Sequence, residues 1–180
     1  MSSKVLSVTL GGVLGALAVL VMLICTPLGI ATYIGGTVAG ICLFPVLQEC
    51  GAKPALISYA AAGILSLILV PDKEMVFCFL FFFGYYPVLK GVLERLRSRA
   101  LCFCLKLAVF NVAVVLMYTL LLRVIALESV VRDFSEQSSG YILALWVLGN
   151  FTFLVYDYLL NVLQVIYQKK IRPKFRGGKK

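Results

Sequence analysis

The sequence predicts an all-α polytopic membrane protein, a single bundle of six transmembrane helices with both termini in the cytoplasm. Three observations predict it. Of 180 residues, 62% are hydrophobic and 14% charged, with a mean hydropathy of +1.01. Soluble domains run at about 45–50% apolar and about 25% charged. Six continuously apolar runs can be drawn, at 5–25, 30–47, 54–70, 75–89, 101–122 and 141–166. Continuous runs, without strict alternation, mean helices and not barrel strands. Finally, if the runs cross the bilayer in turn, fourteen of the seventeen basic residues fall on one side, and Lys73, Arg123 and Arg132 on the other. Such a split puts the basic side, with both termini, in the cytoplasm.

The first run follows Lys4 and holds 21 apolar-rich residues, 5–25. A signal peptide's apolar region is about 7–15 residues, so this run reads as a retained span. Gly11, Gly12, Gly15 and Ala16 give overlapping small-xxx-small pairs. Small side chains let helix backbones approach closely in lipid, within the monomer or against a partner. The second run carries another such pair, Gly36 and Gly40. The third opens on Pro54, at home in a helical first turn, where its missing N–H costs nothing.

The fourth run, 75–89, makes a helix of only about 22 Å, against a hydrocarbon core of about 30 Å. Counting from Asp72 to Lys90 gives about 28 Å, enough to span once the end charges sit among headgroups. Pro87 leaves the Phe83 carbonyl without its helical partner and predicts a kink. Tyr85 and Tyr86 fall near the inner interface, where tyrosine is favoured. The following stretch is amphipathic: Leu89, Val92, Leu93, Leu96 and Ala100 recur at helical spacing, while Lys90, Glu94, Arg95, Arg97 and Arg99 take other faces. It reads as an extension of the fourth helix or a helix lying on the interface, and Leu93, Arg95 and Arg97 are its candidate partner contacts.

The fifth run carries Lys106 near its inner start, with Asn111 and Tyr118 on one face. The sixth carries a polar stripe, Asn150, Asp157, Asn161 and Gln164, spaced seven, four and three. An ionised residue in the bilayer costs about 2.5–3.5 kcal/mol on insertion scales and turns inward. Asp157, Lys106, Asn111, Asn150, Asn161 and Tyr86 are therefore read as one polar patch in the inner half of helices four to six. Lys106, then Lys90, is the expected partner of Asp157. A structural clamp and a solute or ion site both fit. The long loop before helix six, "ESVVRDFSEQSSG", has the composition of a movable lid.

The membrane domain ends at residue 168, and a tail at 169–180 carries seven basic residues. That tail serves as a topology signal, and anionic lipid can add to it. One aromatic residue, Phe175, and no recognisable module argue against nucleic acid. The chain has no histidine, which removes histidine-based triads, zincin sites and histidine haem ligation. No GxSxG, P-loop, GxGxxG or HExxH occurs. The six cysteines lack a CxxC or zinc-site spacing and read as small buried hydrophobes. A non-enzymatic protein without metal or cofactor is expected.

Six short spans, the first helix "GGVLGALAV" and a basic inner loop resemble the substrate-binding S components of energy-coupling-factor (ECF) vitamin transporters. The stretches "PDKE", "GYYPVLKGVLERL", "KLAVFN" and "YDYLL" are similar to a set of uncharacterised small integral membrane proteins of clostridial-type Gram-positive bacteria. The S-component resemblance implies a subunit that binds a vitamin-like solute from outside and docks on a transmembrane coupling protein driven by two ATPase subunits. It implies a docking surface at Gly11, Gly12, Gly15 and Ala16, where the family commonly has Ala-x-x-x-Ala. The expected function is small-solute uptake of this type; the alternative is a structural or assembly protein that binds partners through its basic cytoplasmic face.

Overall fold

A chain this apolar carries large hydrophobic side chains on its outside as well as in its core, unlike a soluble domain. The computed structural model describes residues 3–28, 32–125 and 139–171. Among the described residues, six helices are long and apolar enough to cross a membrane: Val5–Cys25, Tyr33–Cys50, Ala52–Leu69, Lys73–Leu93, Arg99–Arg123 and Trp146–Lys169. No strand occurs among the described residues. Residues 128–138 of the expected lid before helix six and the tail beyond residue 171 lie outside them, while Ser139 and Gly140 of that expected loop are helical.

The chain divides into two compact units, Met1–Gln137 and Ser138–Lys180. The first contains α1 (Ser3–Cys25), α2 (Thr32–Cys42), α3 (Phe44–Cys50), α4 (Ala52–Leu69), α5 (Lys73–Cys78), α6 (Tyr86–Leu93) and α7 (Arg99–Leu120). The second span is thus two helices, broken at Leu43, with Pro45 in the first turn of α3. Gly51 links α3 to α4 at φ +88°, a backbone conformation that suits glycine. α1 packs on α2 and α4, and α2 packs on α5.

The fourth span is the centre of this unit. Its most apolar stretch is 56% buried, against 28–39% for the unit's other spans. It is not one helix: α5 passes into a π-helical turn, Phe79–Phe83, and α6 begins anew at Tyr86. The Gly84 N–H reaches back to the Phe79 carbonyl at 2.8 Å. Pro87 therefore lies in the first turn of a fresh helix, where no N–H is missed. The predicted kink appears as this break. The span runs 21 residues, about 32 Å as a helix, which resolves its apparent shortness.

Two layers fill the unit. Ala18, Val19, Met22, Ala39, Leu43, Ala62, Val70, Met75, Val76 and Phe79 form one buried cluster. Beside it, Phe82 stacks on Tyr86 with centroids 4.6 Å apart and meets Phe110 of α7 edge-on at 4.9 Å. Facing outward are Val8, Ile57 and Ile68, each at least 70% exposed, as a hydrocarbon solvent allows.

Two charges of "PDKE" hold helix ends and the third joins helices. Asp72 caps α5 by accepting the Met75 N–H at 3.0 Å. Lys73 caps α4, donating to the carbonyls of Leu67 and Val70 at 2.8 and 2.9 Å. Glu74 ties α5 to α2 and α7, as described below. Asp72→Ala is expected to cost about 1 kcal/mol, read as a lower melting temperature of the purified protein.

The second unit is α8 (Ser139–Ile166) with a π-helical last turn, Tyr167–Ile171. Phe153, Tyr156, Leu160 and Tyr167 form its buried stripe, while Trp146, Phe151 and Tyr158 are exposed.

Candidate functional site

Two polar clusters mark opposite ends of the central span. Glu74 and Glu94 stand twenty residues apart, about 30 Å along a helix, the depth of a hydrocarbon core.

At the first end, Tyr33 of α2 and Tyr118 of α7 both donate hydroxyl hydrogen bonds to one Glu74 carboxylate oxygen, at 2.9 and 2.8 Å. The two hydroxyls also lie 2.9 Å from each other. Three helices thus meet on one carboxylate. The Tyr33 bond is exposed and the Tyr118 bond part-buried.

At the other end, Glu94 lies just past α6. One of its carboxylate oxygens takes both the Lys90 and the Lys106 ammonium, each at 2.9 Å. Lys90 and Lys106 are 4% and 7% exposed. Burial alone would raise the Glu94 carboxyl; the hydrogen bonds and charges of Lys106 and Lys90 outweigh it and hold it below the ordinary glutamate value. The arrangement ties α6 to α7 across a short turn. Backbone bonds from Arg95 to Val92 and from Leu96 to Leu93 shape that turn, and the Ser98 hydroxyl caps α7 by accepting the Leu101 N–H. The amphipathic stretch is therefore not one helix: α6 stops at Leu93 and α7 starts at Arg99. Arg95, Arg97 and Arg99 are exposed, and Leu93 is half-buried.

An open cleft of about 590 Å³ lies between α4, the π-helical turn and α7. Tyr59, Leu80, Phe81, Val109, Val112 and Leu116 contribute to its lining. Its surface is overwhelmingly carbon, so it suits hydrocarbon better than a polar solute. The Tyr59 hydroxyl turns to the Leu80 carbonyl at 2.5 Å.

The expected polar patch is distributed as follows. Lys106 is held by Glu94, an acid of the amphipathic stretch; the Lys90–Glu94 spacing of four was the available signal. Tyr86 is fully buried in the aromatic stack. Asn111 donates to the Leu107 carbonyl and Asn150 to the Trp146 carbonyl, each at 2.9 Å on its own helix. In the second unit Asn150, Asp157 and Gln164 are half-buried and Asn161 is exposed. Tyr118, which shares a helical face with Asn111, joins Glu74 at the opposite end.

The small residues of α1 divide in two. Gly11 and Gly15 are buried against α4: a methyl added at Gly11 would meet the Ser58 hydroxyl, and one at Gly15 would touch Ser58 and Ala62. Gly12 and Ala16 are exposed, and nothing lies within 4 Å of a methyl added at Gly12. All six cysteines are free thiols, and no metal-holding group of His, Cys, Asp and Glu occurs among the described residues.

Comparison with family models, with curated proteins and with solved structures returns no match.

Proposed function

We propose that the protein is a membrane subunit that binds a small, vitamin-like solute and works with a separate ATP-driven coupling module, in the manner of an S component. The observation that carries this reading is the exposed Gly12 and Ala16 pair. The rest of the small-residue face of α1 is consumed by α4, and this pair is left as a shallow notch where a partner helix can approach closely. Both termini are assigned to the cytoplasm by the division of basic residues, which puts the Glu74 cluster outside, on the solute side. Co-purification from native membranes should recover a coupling protein with its ATPase subunits, and native mass spectrometry a retained solute. Gly12→Leu is expected to lose the coupling module and keep the melting temperature. Wild-type protein recovered with neither module nor solute overturns the reading.

A second reading is favoured by the exposed Arg95 and Arg97: a non-catalytic assembly protein that holds partners on its basic face. Partners that survive Gly12→Leu and are lost on neutralising those arginines would support it.

A further inference from the structure

We propose that the turn between α6 and α7 binds the headgroup of an anionic phospholipid through Arg95, Arg97 and Arg99. This does not depend on the S-component reading, and it competes with the second reading for Arg95 and Arg97. The turn joins two candidate spans, Lys73–Leu93 and Arg99–Arg123, so it stands at the membrane surface whichever way the chain is oriented. Its charge is one-sided. Glu94, the acid within it, is committed to the two buried lysines, and the first turn of α7 contains no acid to offset Arg99. Three exposed arginines in five residues therefore face the headgroup region.

The turn is also built to hold its shape. Glu94 pins one end to Lys90 and Lys106, and Ser98 fixes the other through its cap. A pinned backbone loses little freedom when a ligand arrives. Guanidinium is the group that matches a phosphate diester, taking two oxygens with two parallel N–H bonds. Around the arginines the surface is apolar: Leu96, Leu101 and Phe103 are 40%, 51% and 50% exposed. Phosphate on the arginines with acyl chains along these side chains satisfies both halves of one lipid. A free phosphate would use only the arginines and make no contact with these apolar side chains.

The test uses the full-length protein, purified in detergent and mixed with phosphatidylglycerol or with phosphatidylcholine. Native mass spectrometry counts the lipids retained. Wild type is expected to prefer phosphatidylglycerol. The triple variant Arg95→Gln, Arg97→Gln, Arg99→Gln is expected to retain it at least about tenfold less, with an unchanged melting temperature, since the three side chains are exposed. The corresponding triple lysine variant keeps the charge and loses the paired geometry, so retention should fall between the two. Millimolar inorganic phosphate should not displace the lipid. Equal retention of the two lipids, no loss in the glutamine variant, or displacement by phosphate would each overturn the proposal, as would loss of an acidic protein partner in place of lipid.

Discussion

Gly84→Ala should destabilise the folded protein by about 1–3 kcal/mol, the usual cost of forcing an extra carbon into a packed site. The backbone is not the reason, since Gly84 sits at φ −73°, open to any residue. The reason is space. A methyl there would lie 2.4 and 2.7 Å from two carbons of the Tyr59 ring and 3.0 Å from Phe79. That ring is held: its hydroxyl donates to Leu80, and it packs against Phe79 and Tyr85 at centroid distances of 5.7 and 6.1 Å. The ring also lines the cleft, and a shift into that space would strain the bond to Leu80. α4 and the central span would lose their register at that point. A fall of several degrees in the melting temperature of the purified protein is the expected readout. Gly12→Ala is the matched control and should change nothing, because nothing lies within 4 Å of the new methyl.

The pairing of those two glycines shows what a sequence can and cannot tell about such a fold. Small-xxx-small spacing picks out residues that allow close approach. It does not say which of them the protein has already used: Gly11 and Gly15 are spent on α4, and Gly12 and Ala16 are not. The helices themselves were legible, because a lipid solvent demands unbroken apolar runs and places charges at their ends. The fourth span needed its end charges to be counted, and its length then agreed. Its interior break was legible from Pro87, but the π-helical turn before it was not, since that depends on how five consecutive bulky residues find room beside α2 and α7.

Polar clusters were harder. Asn111 and Tyr118 share a helical face, but seven residues separate them, about 10 Å of rise. That distance is enough to move Tyr118 to the other end of the span, where Glu74 and Tyr33 meet it. Sharing a face says nothing about depth. Tyr33 and Glu74 come from 41 residues apart and carry no local signal of pairing. Lys90 and Glu94 do carry one, and it locates half of the second cluster. Lys106 completes it only because α6 ends at Leu93 and the chain turns back.

Replacing Glu94 by glutamine should have the largest effect of any charge change in the described residues of the first unit. Glu94 places one carboxylate oxygen between two ammonium groups that are almost wholly buried. A glutamine keeps the shape and removes the charge, which leaves two like charges close together in a region of low dielectric. Breaking a fully buried pair costs about 3–5 kcal/mol. Water reaches the Glu94 side chain, 37% exposed, and screens part of this, so about 1–3 kcal/mol is expected. The dependence on pH has a fixed sign. The folded protein holds the carboxyl below its ordinary value of 4.5, so the unfolded chain takes up the proton first as pH falls. The stabilisation is therefore complete above 4.5 and is lost as pH drops through the lower, folded value. The melting temperatures of wild type and Glu94→Gln should stay apart by a constant margin at neutral pH and converge in acid. A margin that persists unchanged in strong acid, or no margin at neutral pH, would mean that the two lysines do not depend on the Glu94 charge.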